Sequence, residues 1–144
     1  MNSEKKIRVF IVDDDVIFLK LLKVDFLQYP EYETTSFSTG ELCLEKINEM
    51  PDVIILDYYL NGLDANAMNG IEILDKIKAY NSDIPVIMLS SQDKIEVAIE
   101  CMHHRAFDYV VKSETAFMRI QRIINSISRF KKMDNILNWY KARM

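Results

Sequence analysis

A chain of 144 residues with 49% hydrophobic and 28% charged residues, three Gly and three Pro has the make-up of one globular domain, and is too apolar for a disordered or low-complexity segment. Its formal net charge of −4 gives no general attraction to nucleic acid or to an anionic membrane, so neither is expected as a partner. No apolar run reaches the roughly 18 residues of a spanning helix, and the start MNSEKKIRVFIV lacks the layout of a signal peptide, so a cytoplasmic protein is expected.

Ile7–Val12 (IRVFIV) is short, β-branched and almost wholly apolar, which predicts a strand covered on both faces. Val16, Leu19, Leu22, Phe26 and Leu27 recur at helical spacing and predict a helix over Asp15–Gln28, capped by Asp15 and ended by Pro30. Tyr32–Phe37 reads as a second strand, and Ser38 or Thr39 as the cap of a helix over Glu41–Glu49. Pro51 breaks the chain before a third buried strand, Asp52–Leu56 (DVIIL). Asp57–Asn69 is a polar loop. Gly70–Tyr80 is a helix with Ile71, Leu74 and Ile77 on one face, and Asn81–Asp83 is a turn before a fourth strand, Pro85–Leu89 (PVIML). Asp93 is placed to cap a helix to about His104 that buries Ile95, Val97, Ala98 and Met102. Tyr109–Val111 is the fifth strand, entered through Phe107 and Asp108, and a last helical pattern begins near Glu114.

Strands alternating with helices require a parallel sheet with right-handed crossovers, here an α/β, doubly wound sandwich of five strands and five helices. The ligand site of such a sheet lies outside the carboxyl ends of its strands, at the switch point. Those ends carry Asp13, Asp14 and Asp15, then Asp57, then Ser90 and Ser91, then Lys112. With the flavodoxin-like order 2-1-3-4-5, borrowed from known folds, the first and third strands are neighbours and Asp13 or Asp14 faces Asp57. Carboxylates at about 4 Å and an effective dielectric near 20 repel by roughly 4 kcal/mol per pair. Ionised Asp13, Asp14 and Asp57 carry three negative charges; Lys112 leaves two, which one divalent cation neutralises. Hard oxygen donors without His or Cys suit Mg²⁺, with Mn²⁺ as the alternative. A carboxylate nucleophile beside a cation, an ammonium and a serine hydroxyl is equipped to accept a phosphoryl group.

The run VDDD, an LD pair whose Asp57 lies 43 residues after Asp14, then MLS and YVVK, resembles the receiver domain of bacterial two-component response regulators over roughly residues 7–130. The resemblance implies a phosphorylation switch with Asp57 as phosphoacceptor. Asp14 would bind Mg²⁺ directly and Asp13 mostly through water, with the Tyr59 backbone carbonyl as a further ligand. Lys112 would pair with the phosphoryl group, and Ser90 and Tyr109 would be the switch hydroxyl and switch aromatic. The donor would be a sensor histidine kinase or a phosphotransfer protein. The output would pass to a downstream protein or a second copy through the face of strands four and five or through the C-terminal helix. Such a domain promotes only its own phosphorylation and dephosphorylation and is not otherwise an enzyme.

The chain departs from the family pattern at three points. Ser113 follows Lys112 where the family usually has proline, which makes a cis bond there costly. The segment YYLNGLDANAMNG is about five residues longer than the usual loop in that family and carries Asp64, read as solvated. Tyr59 and Gln92 stand where receivers tune the lifetime of the acyl phosphate.

Plainer readings apply elsewhere. Asp15 is a helix cap, His103 and His104 favour the negative end of a helix, and Met88, Met102 and Met118 are packing residues. Cys43 and Cys101 are reduced structural thiols. Residues 1–130 are read as the receiver and 131–144 as a C-terminal helical extension, in which Met133, Ile136, Leu137, Trp139 and Tyr140 either stay solvated or pack on a partner. The competing function is an aspartate-nucleophile phosphohydrolase on a related sheet, which usually has a second aspartate where Tyr59 stands. A flavodoxin-like cofactor binder is disfavoured by the aspartates after strand one, which would repel a cofactor phosphate.

Overall fold

The structure, a computed structural model, describes residues 5–62 and 65–144. Asp64 lies outside them. The strands β1 (Ile7–Val12), β2 (Tyr32–Phe37), β3 (Val53–Asp57), β4 (Val86–Ser90) and β5 (Asp108–Val111) form one sheet. All neighbours are parallel and the order is β2-β1-β3-β4-β5, as expected. The helices between them are α1 (Val16–Leu27), α2 (Gly40–Glu45), α3 (Gly70–Tyr80) and α4 (Ile95–His103), and α5 (Ala116–Ala142) closes the order.

The alternation of side chains along each strand divides the interior into two layers. Val9 and Ile11 of β1 face α1 and α5, packing with Leu22, Phe26, Ile120 and Ile124. Phe10 and Val12 face the other way, onto Cys43 of α2, Ile73, Leu74 and Ile77 of α3, and Cys101 of α4. Gly40 exists for this contact: a Cβ there would overlap the side chain of Ile73. Every residue of β3 is buried, including Asp57 at its end. Each of its aliphatic side chains contributes about 1.5–3 kcal/mol of burial, which holds the strand that presents the carboxylate.

Several boundaries differ from the sequence reading for local reasons. β3 and β4 each run one residue further, through Asp57 and Ser90, because Asp57 pairs with Leu89 and Ser90 with Val111 in the ladders. The second helix stops at Glu45 and finishes as a 3₁₀ turn, Ile47–Glu49, before left-handed Met50. Asp15 caps α1 by accepting from the Ile17 and Phe18 amides, but Val16 and Leu27 are exposed rather than core. The N-cap of α4 is Lys94, without a side-chain hydrogen bond, so Asp93 does not cap it. Only Val97 and Cys101 of α4 are buried; Ile95 and Met102 face out, as does Met118 on α5, whereas Met88 is core. His104 does more than favour a helix end: its Nδ1 lies 2.8 Å from Asp75 Oδ1 of α3. Cys43 and Cys101 are both free and buried.

Candidate functional site

The register of β1, β3 and β5 brings three chain ends to one edge of the sheet. Val12 pairs with Leu56, which sets Asp13 beside Asp57, and the Lys112 amide donates to the Ser90 carbonyl at 2.8 Å. That bond holds Lys112 at the end of β5 although Ser113 follows it. No cis peptide bond occurs among the described residues, so Lys112–Ser113 is trans.

Lys112 Nζ lies 2.9 Å from Asp13 Oδ2 and 3.4 Å from Asp57 Oδ2. Phe18 of α1 places its ring under the same ammonium, 4.9 Å away, adding an electrostatic contact to a half-buried charge. Asp13 is wholly buried and its Oδ1 accepts from the Asp15 amide at 2.9 Å. Its Oδ2 receives no directed hydrogen bond from the described residues; its partner is the Lys112 charge. One carboxylate oxygen each from Asp13, Asp14 and Asp57 lie within 4.8 Å of one another. Asp14 is the most open of the three, and Gly62 of the long loop approaches its Oδ2, where a Cβ would stand 3.5 Å away.

The electrostatics follow from this crowding. Burial first, and then the neighbouring Asp13 charge, raise the Asp57 carboxyl from 3.8 to about 8, with Lys112 only partly offsetting them. Burial and Asp13 also raise Asp14 above the ordinary carboxylate range. Burial acts to lower Lys112, but contact with Asp13 and Asp57 outweighs it and raises the ammonium. Three carboxylates share one ammonium, and one oxygen of Asp13 lacks a directed donor. The all-oxygen donor set therefore fits a hard divalent cation, which would favour the charged forms of Asp14 and Asp57.

The remaining expected residues ring this pocket. Ser90 is fully buried, and its Oγ accepts from the Gln92 amide at 3.1 Å. Tyr109, half-buried on β5, donates its hydroxyl to the Gln92 carbonyl. Ser90 and Tyr109 thus grip the same loop residue from its two backbone groups. Tyr59 is largely exposed, and its amide reaches Asp57 Oδ1 at 3.4 Å. Gly70 lets α3 start against Asp57: its amide donates to the Tyr58 carbonyl at 3.0 Å. A Cβ on Gly70 would overlap the Asp57 carbonyl oxygen and fall 2.8 Å from Tyr58 Cα.

Three contacts were missed in sequence. Asn69 and Glu72 form a capping box at the start of α3, and the N-x-x-E spacing that signals it was present. The Tyr58 hydroxyl donates to Glu100 Oε2 of α4 at 2.8 Å, tying the residue after Asp57 to that helix. Burial first, then this bond, raise the Tyr58 phenol to about 12. Neither this pair nor Phe18–Lys112 has a local signal, because each joins distant segments.

A doubly wound sheet with a buried carboxylate at the end of β3, two more carboxylates after β1, a serine at the end of β4 and a lysine after β5 defines the receiver class of signalling domains. Comparison with known sequences agrees: the response regulator receiver domain family matches residues 9–125, and the chain belongs to that family, a receiver domain of two-component response regulators. It is 37% identical over 119 residues to a protein-glutamate methylesterase/protein-glutamine glutaminase of Clostridium acetobutylicum, covering 78% of this chain and 32% of that protein. It is 30% identical over 110 residues to the transcriptional regulatory protein ZraR of Escherichia coli, covering 76% of this chain and 24% of that one. The chain thus spans a third or less of the length of these curated relatives. Among solved structures it resembles a CheY-like response regulator receiver domain protein from Methanospirillum hungatei, with a TM-score of 0.75, 25% identity, and coverage of 90% of this chain and 99% of that one. None of these likenesses points to the phosphohydrolase alternative.

Proposed function

We propose that Asp57 is the phosphoacceptor of this receiver, and that phosphorylation moves Ser90 and Tyr109. The observation that carries the reading is the placement of Asp57: 3% exposed, at the end of a wholly buried strand, within reach of Lys112 and two further carboxylates. Asp13, Asp14, Asp57 and the Tyr59 carbonyl would hold Mg²⁺, or Mn²⁺ in its place. When bound, the ion offsets the carboxylate repulsion and stabilises charge on the phosphoryl oxygens.

A carboxylate oxygen of Asp57 attacks phosphorus as the donor's phosphorus–nitrogen bond breaks, and the freed imidazole nitrogen takes a proton from water. Lys112, already turned toward Asp57, neutralises part of the new charge. Ser90 Oγ is an acceptor from Gln92 in this structure and turns to donate to the phosphoryl group. That exchange releases the Gln92 amide, loosens the loop that Tyr109 holds by the neighbouring carbonyl, and shifts the population of the β4–α4 segment.

The donor is a sensor histidine kinase or a phosphotransfer protein. The apolar side chains Ile17 and Leu21, which α1 leaves exposed beyond the pocket, suit a protein surface. The output goes to a downstream protein or a second copy, through the β4–β5 face or the C-terminal helix, with no nucleic acid or membrane contacted by this chain. Residues 1–130 act as the receiver and 131–144 as its helical extension, in the cytoplasm. No helix among the described residues is long and apolar enough to cross a membrane. The domain catalyses nothing beyond its own phosphorylation and dephosphorylation.

Incubation with acetyl phosphate and Mg²⁺, followed by intact mass, tests this. A gain of one phosphoryl group that is lost in Asp57→Asn is expected. An equal gain in Asp57→Asn, or none in the wild type, would refute it.

A further inference from the structure

Helix α5 carries two apolar stripes, not one. Ile120, Ile124 and Ile127 are buried on the sheet. Continued at the same spacing, that stripe meets Lys131, Asp134 and Asn138, so the body-facing side turns polar where the helix leaves the sheet. A second stripe starts there. Phe130, Met133, Leu137 and Tyr140 are spaced by three, four and three residues and are 51–61% exposed. This is the repeat of a two-stranded coiled-coil seam, with Phe130 and Leu137 in one set of core positions and Met133 and Tyr140 in the other. Phe130 keeps a ring contact with Phe107 of the body, 6.2 Å between centroids, yet is 61% exposed, and the seam runs on from it through Met133, Leu137 and Tyr140. Lys131, whose Nζ is 4.0 Å from Asp52 Oδ1, marks the body side, roughly a third of a turn away around the helix. Ser126, one step before Phe130, opens a groove with Arg129 and Met133 where the seam begins.

We infer that this stripe is a homodimer interface, in which α5 of a second copy packs in parallel along Phe130, Met133, Leu137 and Tyr140.

Charge selects both the occupant and its direction. Seam geometry places Arg129 and Asp134 on opposite flanks, five residues apart. In a parallel pair each Arg129 meets the other copy's Asp134, twice by symmetry. An antiparallel pair in the register that stacks the same apolar residues sets Arg129 against Arg143 and Asp134 against Asp134, like charges on both sides. Trp139 lies off the seam, with the Arg143 guanidinium 3.9 Å over its ring, and is not needed as an anchor. The helix is nucleated by its packed first half, so a short seam does not bear the cost of starting a helix. Because α5 runs back from the carboxyl edge of the sheet, the seam projects from the opposite end. Both acidic pockets stay open to a donor.

The inference does not rest on Asp57 chemistry, and its test runs on wild type and Asp57→Asn alike. In a concentration series by sedimentation, the full chain is expected to rise from 16.9 kDa toward twice that mass, in both proteins. Leu137→Asp, at an exposed position, should stay monomeric, with thermal unfolding equal to that of the wild type at dilutions where the wild type is itself monomeric. Met133→Cys should give a disulfide-linked dimer under mild oxidation, since only a parallel in-register pair brings the two position-133 side chains face to face. Cys43 and Cys101 are buried and do not compete. A wild type that remains monomeric, a Leu137→Asp variant that dimerises as before, or a dimer that fails to cross-link through Met133→Cys would each overturn the inference.

Discussion

Replacing Asp57 with asparagine keeps the shape of the side chain and removes one charge, and it should stabilise the metal-free domain at alkaline pH. The oxygens of Asp13, Asp14 and Asp57 lie within 4.8 Å of one another. At an effective dielectric near 20, each of the two repulsions acting on Asp57 is then about 3.5 kcal/mol. Lys112, at 3.4 Å, returns about 5 kcal/mol on the same scale. The balance is repulsive by about 2 kcal/mol before any cost of burying the charge. Asparagine keeps an acceptor for the Tyr59 amide and leaves the Lys112–Asp13 pair intact. The pH dependence follows from the raised carboxyl, at about 8 in the folded state against an ordinary 3.8. The native state holds that proton more tightly than the unfolded chain. The stability it provides is therefore fully present below about pH 4 and is lost as pH rises through about 8. Asparagine does not titrate, so its advantage grows across that window. Thermal unfolding in EDTA should show the variant melting about 6–8 °C higher at pH 9 and by a smaller margin at pH 5. Mg²⁺ at about a hundred times its dissociation constant should return about 2.7 kcal/mol to the wild type and less to the variant. Equal melting at pH 9, or an advantage that does not change with pH, would refute the charge argument.

Two further perturbations probe the frame around the pocket. Gly70→Ala pushes a methyl group into the Asp57 carbonyl, and denaturant unfolding should show a loss of about 1–3 kcal/mol with slower phosphorylation by acetyl phosphate. Tyr109→Phe removes the bond to the Gln92 carbonyl, and hydrogen exchange over residues 91–95 should quicken in line with a loss of about 1 kcal/mol, while exchange in β1 stays unchanged.

The inner strands β3 and β4 were legible because they are covered on both faces and read as continuous apolar runs; Val53–Leu56 and Val86–Leu89 leave little else they could be. The pocket was legible because its charged residues stand directly after those runs. Helix α4 was misread because periodicity reveals which residues share a face, not which face is covered. Val97 and Cys101 point inward, while Ile95, Ile99 and Met102, also apolar, point to solvent. Spacing alone likewise does not show where the covered face of α5 ends; the buried positions of Ile120, Ile124 and Ile127 separate its two stripes. Contacts between distant segments, Tyr58 with Glu100 and Phe18 with Lys112, depend on the tertiary arrangement and leave no trace in local spacing. The capping box at Asn69 and Glu72 was readable and lay hidden in a loop judged only by its polarity.

The central claim concerns one oxygen, and borohydride reduction addresses it most directly. Borohydride reduces an aspartyl phosphate to homoserine, and peptide mass spectrometry after treatment with acetyl phosphate and Mg²⁺ locates the change. Homoserine at position 57 alone, absent in EDTA, is the expected result. Homoserine at position 13 or 14, or at 57 irrespective of the metal, would contradict the account.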